Sequence, residues 1–247
     1  MRILVVNPNT TPTMTETIAA AARAAAVAPT VIEAITSTMG PASIEGYYDE
    51  ALAVPGLLAE IARGERRGAA AAVIACFDDT GLDAARAMAS IPVIGICEAA
   101  LTLAAFIARR FSVVTMSERS LVPVEELVHR YGMGGRALVR AAGIPVLELE
   151  DPSSGAVTRL RSEIARALDE DHAEAIVLGC AGMADLAGAL RRDFGVPVID
   201  GVGAAVKQAE ALLALGLSTS KRGAYAMPAE KSFAGLLADF APGRAVA

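Results

Sequence analysis

Short runs of aliphatic and β-branched residues alternate with longer alanine-rich stretches along the whole chain. The runs Arg2–Val6, Thr30–Ala34, Ala72–Ala75, Val93–Ile96, Phe111–Thr115, Pro145–Glu148, Ala175–Leu178 and Val196–Ile199 predict strands. Several are apolar at every position, the pattern of parallel strands covered by helices on both faces. The intervening stretches predict helices, and a βαβα order of this kind implies an α/β fold with right-handed crossovers.

The same unit is written twice. Ala72-Val73-Ile74-Ala75-Cys76 leads through a helical stretch to Ile91-Pro92-Val93-Ile94-Gly95, and Ala175-Ile176-Val177-Leu178-Gly179-Cys180 leads through another to Val196-Pro197-Val198-Ile199-Asp200. Cysteine and proline stand 16 residues apart in the first copy and 17 in the second. Arg2–Val6 precedes Cys76 much as Phe111–Thr115 precedes Cys180, and each strand runs into a Thr/Ser-rich turn. The expectation is two pseudo-symmetric parallel-sheet α/β halves with the active site between them. Residues 1–105 with 206–247 form the first half, the latter segment being a helix that packs back on it, and residues 106–205 form the second.

Ligands of open parallel sheets bind beyond the carboxyl ends of the strands. Cys76 and Cys180 both end a strand and precede a helix, so the repeat puts one thiol on each side of a shared pocket. Free cysteine is often simply buried, and Cys97, which has no partner in the second copy, is read that way. For the paired thiols, a helix N-terminus favours the thiolate, whereas Asp78 and Asp79 raise the thiol pKa at Cys76 or cap the next helix. One thiolate opposite one thiol is the state needed to invert a carbon, since a proton leaves one face and another arrives at the other.

Composition narrows the field. The 247 residues are 54% hydrophobic and 20% charged, with a net charge of −6, no Trp and no basic run. Nucleic acid and anionic membrane surfaces are therefore poor partners. No signal-peptide pattern and no spanning apolar stretch is evident, and three widely spaced cysteines make no disulfide framework, so a reducing cytoplasm is expected. His129 and His172 lack ligand-spaced partners, which disfavours a zinc site. Lys207, Lys221 and Lys231 all lie in the C-terminal segment, away from the strand ends, which disfavours a pyridoxal Schiff base. No phosphate-binding glycine motif follows the first strand. Asn9 and Thr115 are candidate ligands for ring N–H and C=O groups, although such residues also build turns. Ile44 and Tyr47, between predicted elements, are candidates for a side wall, and the backbone after Cys180 at Ala181 and Gly182 is open enough to offer N–H groups.

Val6-Asn7-Pro8-Asn9-Thr10, Pro41-Ala42-Ser43-Ile44-Glu45-Gly46, Ile74-Ala75-Cys76-Phe77-Asp78-Asp79-Thr80-Gly81-Leu82, Arg110-Phe111-Ser112-Val113-Val114-Thr115 and Leu178-Gly179-Cys180-Ala181-Gly182-Met183 together resemble the aspartate/glutamate/hydantoin racemase superfamily, and within it the hydantoin racemases. The resemblance covers essentially the full length. It implies catalysis without a cofactor, a small-molecule substrate, Cys76 and Cys180 as the two bases, and a homo-oligomer. Glutamate and aspartate racemases typically carry Asn-Thr after the first cysteine, and glutamate racemases Thr-His after the second. Phe77-Asp78 and Ala181-Gly182 stand here instead, which directs the reading to a neutral hydantoin ring held by Asn9, Ile44, Tyr47, Phe77, Asp78, Thr115, Ala181 and Gly182. Allantoin, itself a hydantoin with a ureido arm, is the alternative substrate. A maleate-type cis–trans isomerase using one thiol as nucleophile and a non-enzymatic binding module are the more remote readings.

Overall fold

The computed structural model describes residues 1–151 and 153–242. Two four-stranded parallel sheets form the framework. The first has the order β2-β1-β3-β4, from β1 (Arg2–Asn7), β2 (Val31–Thr36), β3 (Ala71–Ile74) and β4 (Val93–Gly95). The second has the equivalent order β6-β5-β7-β8, from β5 (Phe111–Thr115), β6 (Ala137–Ala141), β7 (Ala175–Gly179) and β8 (Val198–Asp200). The central strands β1, β3, β5 and β7 are almost wholly buried, as their unbroken apolar runs require.

Seven of the eight predicted strands form within a few residues of their expected bounds; the sixth does not. Pro145–Glu148 lies in a 3₁₀ turn over Val146–Glu150, and the sixth strand is Ala137–Ala141. Gly143 turns the chain at φ +65°, a left-handed conformation that glycine adopts without steric cost. Pro145 has no N–H for a ladder, and its carbonyl accepts the Glu148 N–H at 3.0 Å to close the turn. The strand that forms instead is a half-exposed sheet edge, so its sequence shows little apolar patterning. Arg140 anchors it, bonding Glu163 at 3.0 Å, Glu170 at 2.7 Å and Asp171 at 2.6 Å.

Helices α1 (Pro12–Ala25), α2 (Tyr47–Arg66), α3 (Leu82–Met88), α4 (Ile96–Ile107), α5 (Leu121–Arg130), α6 (Ala156–Glu170), α7 (Ala187–Phe194) and α8 (Gly201–Ala214) cover the sheets. The helices after the two last strands cross over. α4 leaves the first sheet and packs on β7 and β8, while α8 leaves the second and packs on β3, β4 and α1. One apolar core therefore joins Ile3, Val5 and Val73 of the first sheet to Phe111, Val113 and Val177 of the second, through Ala99, Ala100, Ala204 and Ala205. Alanine suits this seam because small side chains let the helix backbones approach. Among the described residues beyond Ala214 the chain is no longer helical apart from two short 3₁₀ turns, and Tyr225 Oη donates to Asp83 on α3 at 2.8 Å. Residues 243–247 lie outside the described residues.

The crossing is tight at Gly201, where an added Cβ would lie 2.7 Å from the Ile96 carbonyl oxygen and 2.9 Å from its Cβ. Gly201→Ala is therefore expected to destabilise the protein by about 1–3 kcal/mol through overpacking, measured as a lower urea midpoint with an unchanged slope.

Candidate active site

Cys76 follows β3, and the Ala75 N–H bonds the Val6 carbonyl at 2.9 Å, so the cysteine leaves the sheet from a fixed point. Cys180 follows β7 at the matching position, since Ile74 pairs β1 as Leu178 pairs β5. Both cysteines are half-buried residues and line one cavity at the carboxyl ends of the two sheets. That cavity offers ≈ 40 Å³ of space for the centres of water-sized molecules. It is tight, with room for only a few waters.

Of the residues singled out in the sequence, Asn9, Ile44, Phe77, Asp78, Thr115 and Ala181 line the cavity with the two cysteines. Tyr47 does not. It begins α2 with its ring half exposed, donates to Glu126 Oε2 at 2.9 Å and faces an adjoining polar cavity of ≈ 500 Å³ that also touches Asp78. Gly182 borders a third space of ≈ 320 Å³, and its backbone N–H lies near the Cys180 sulfur. Met14, Met116, Ser120 and Val146 line the thiol cavity without having been anticipated. Ser120 belongs to the polar turn after β5 and Met116 directly follows Thr115. Met14 on α1 and Val146 in the mispredicted turn carry no sequence signal of a site.

The polar ligands are pre-positioned. Asn7 donates to Asn9 Oδ1 at 2.8 Å and to Thr15 Oγ1 at 3.0 Å, and the Thr11 N–H also donates to Asn9 Oδ1. The Asn9 oxygen is thereby occupied, and its amide N–H₂ makes a single contact, to Met14 Sδ at 3.4 Å. Thr115 donates its hydroxyl to the Gly179 carbonyl at 3.2 Å, which leaves its oxygen free to accept. One strand end thus offers a donor and the other an acceptor.

The backbone N–H of the residue two places on lies near each sulfur, Asp78 for Cys76 and Gly182 for Cys180. These contacts favour the thiolate, but burial outweighs them. Burial pushes Cys180 up to about 11, and it pushes Cys76 well above the ordinary thiol range, assisted by the charge on Asp78. The helix-terminus effect expected from the sequence is weak here because a 3₁₀ turn follows Cys180 and a five-residue loop separates Cys76 from α3. The buried Thr80 hydroxyl has no regular hydrogen bond, yet it lies close enough to Cys76 to favour the thiolate.

The two aspartates divide their work. Asp79, at φ +46°, does not cap the helix that follows it. Its carboxylate accepts the Cys97 and Glu98 N–H groups at 2.9 Å each, capping α4, and the Tyr131 hydroxyl at 2.7 Å. Gly95 makes this possible, because a Cβ there would lie 2.3 Å from Asp79 Cγ. Cys97 is fully buried beside it and does not reach the thiol cavity. The Asp78 carboxylate has no hydrogen-bond partner among the described residues. Burial, then the charges of Glu50 and Asp79, lifts it to about 7. Among the described residues no cluster of three or more His, Cys, Asp or Glu could hold a metal ion, and no helix is long and apolar enough to cross a membrane.

A family model described as Asp/Glu/Hydantoin racemase matches residues 3–209. The chain is 52% identical to a hydantoin racemase of Rhizobium meliloti over 95% of this chain and 98% of the other. It is 50% identical to a hydantoin racemase of Pseudomonas sp. (strain NS671), over 97% of both. The solved structure of an allantoin racemase from Klebsiella pneumoniae superposes with a TM-score of 0.95 at 49% identity, covering 98% of this chain and 99% of that one.

A carboxyl group whose pKa the fold raises is most stabilising when protonated, so its contribution is full below about pH 4 and is lost as pH rises through about 7. Asp78→Asn removes that loss. It is expected to stabilise the protein by about 2–4 kcal/mol at pH 8 and to change little at pH 4, read from thermal unfolding at both pH values.

Proposed function

The chain belongs to the Asp/Glu/hydantoin racemase family, and from that premise we propose that it racemises 5-monosubstituted hydantoins at C5, with Cys76 and Cys180 as the two bases. The observation that carries this reading is the pair of thiols at equivalent strand ends of two like sheets, lining one cavity. The thiolate on one side takes the C5 proton, breaking C–H and forming S–H. The thiol on the other side gives its proton to the opposite face, breaking S–H and forming C–H. The enolate between the two steps is planar and carries its charge on the C4 oxygen.

The Asn9 amide N–H supports that oxygen, and Thr115 Oγ1 accepts a ring N–H. Ile44 and Phe77 form apolar walls that exclude water and strengthen both contacts. Asp78 sets the resting state. Its charge adds to burial in holding the protons on both thiols. The Asp78 and Gly182 N–H groups then stabilise whichever sulfur is charged. Residues 1–105 with 206–247, and residues 106–205, serve as the two halves that each supply one base. Allantoin is the second substrate to test, because the allantoin racemase structure superposes so closely.

Three outcomes check the proposal. Cys76→Ser and Cys180→Ser each lower racemisation about 10³-fold or more, while chiral chromatography in deuterium oxide shows each variant still exchanging the C5 proton of one enantiomer only. Retained racemisation by either variant would refute the two-base mechanism. Because both thiols are pushed upward, kcat/KM is expected to rise with pH from 6 to 9, approaching tenfold per unit as the thiolate fraction grows. A flat profile over that range would contradict a thiolate base.

A further inference from the structure

The thiol cavity is too small for the arm of a substituted ring, and a larger space adjoins it. The ≈ 320 Å³ compartment shares Met14 and Val146 with the ≈ 40 Å³ cavity around the cysteines. Gly182 stands at the junction. A Cβ built there would lie 3.8 Å from Cys180 Sγ, 3.8 Å from the Met14 methyl carbon and 3.4 Å from a Leu149 methyl carbon. The missing side chain thus leaves a path beside the catalytic sulfur, and the partition across it is the unbranched, flexible side chain of methionine.

We propose that this compartment receives the substituent at C5, with Met14 moving aside to join the two spaces. The inference rests on the racemase reading and deepens it. Inversion moves the C5 hydrogen from one face to the other, along the line between the thiols. The ring and the arm lie near the plane between them, so the arm needs a lateral exit that does not change as the carbon inverts. Leu149, Val157 and Leu186 give the compartment an apolar body. Glu16 and Asp185 lie at its exposed rim and pair with no other side chain among the described residues. The matching arm is uncharged, aliphatic or aromatic, or ends in N–H donors such as a ureido group; an arm ending in a carboxylate meets two like charges.

Val157 is partly exposed in the first turn of α6 and does not line the thiol cavity, so Val157→Trp fills the compartment without touching the cysteines. Racemisation of 5-methyl-, 5-isobutyl- and 5-(2-carboxyethyl)hydantoin is followed by polarimetry in the unaltered protein and the variant. The variant is expected to lose about tenfold in kcat/KM for the isobutyl compound and to keep the methyl compound within twofold. The Glu16→Gln/Asp185→Asn double variant is expected to gain about threefold on the carboxyethyl compound relative to the isobutyl one. Equal losses on methyl and isobutyl, or no loss on isobutyl, would overturn the compartment as the arm site. No gain on the carboxyethyl compound would overturn the role of the rim. An unaltered protein that racemises none of the three overturns the racemase reading itself, a result distinct from both.

Discussion

The carboxylate of Asp79 is the interaction on which the site depends. It accepts two backbone N–H groups at the start of α4 and the hydroxyl of Tyr131 at the end of α5. One buried side chain thereby joins the loop after β3, a helix that packs on the second sheet, and a residue that follows α5. Burial raises its pKa to about 7 against those three hydrogen bonds, a sign that the protein holds it where solvation would not. A buried acceptor in this position is costly unless it is hydrogen-bonded, so these three bonds help hold the loop from Cys76 to Gly81 in place. Gly95 leaves the space that the carboxylate fills.

The crossing of α4 and α8 supplies the other constraint. Each sheet is covered in part by the helix that its partner sheet launches, so the two halves share a core and cannot drift apart without exposing it. The alanines of both helices and the contact at Gly201 bring the sheets close enough for their carboxyl ends to face one another. Closure of this kind explains the tight thiol cavity, and it explains why burial rather than a helix terminus governs the two sulfurs.

The halves are alike in backbone and unlike in charge. Two residues after each cysteine an N–H lies near the sulfur, but the side chain there is a carboxylate in the first half and absent in the second. The Asp78 charge adds to burial in raising both thiols, and Gly182 leaves the flank of the second without a side chain. The capping of the last helices differs in the same way. Asp200 caps α8 from the end of β8, its Oδ1 accepting the Gly203 N–H at 2.6 Å, whereas glycine at the matching end of β4 leaves that task to Asp79. The backbone repeat supplied the symmetry, and the side chains at Asp78 and Gly182 break it beside the two thiols.

Much of this was legible from the residues alone. Unbroken apolar runs identified the buried parallel strands, because a strand covered on both faces has no reason to alternate. The repeat paired Cys76 with Cys180, since strand order and register carry over with the sequence pattern. What the sequence could not settle were the features that depend on what lies across a gap. The edge strand Ala137–Ala141 is half exposed and so lacks the apolar signal, while the short apolar run at Pro145–Glu148 belongs to a turn set by Gly143. Tyr47 sits one cavity away from the thiols because α2 begins there and its hydroxyl meets Glu126. Met14 and Val146 reach the site only through packing. The thiol pKa values, too, were decided by the depth of the cleft. Local pattern determined the elements and the chemistry they carry; desolvation and the crossing of α4 and α8, which exist only once the two sheets meet, decided how that chemistry is arranged.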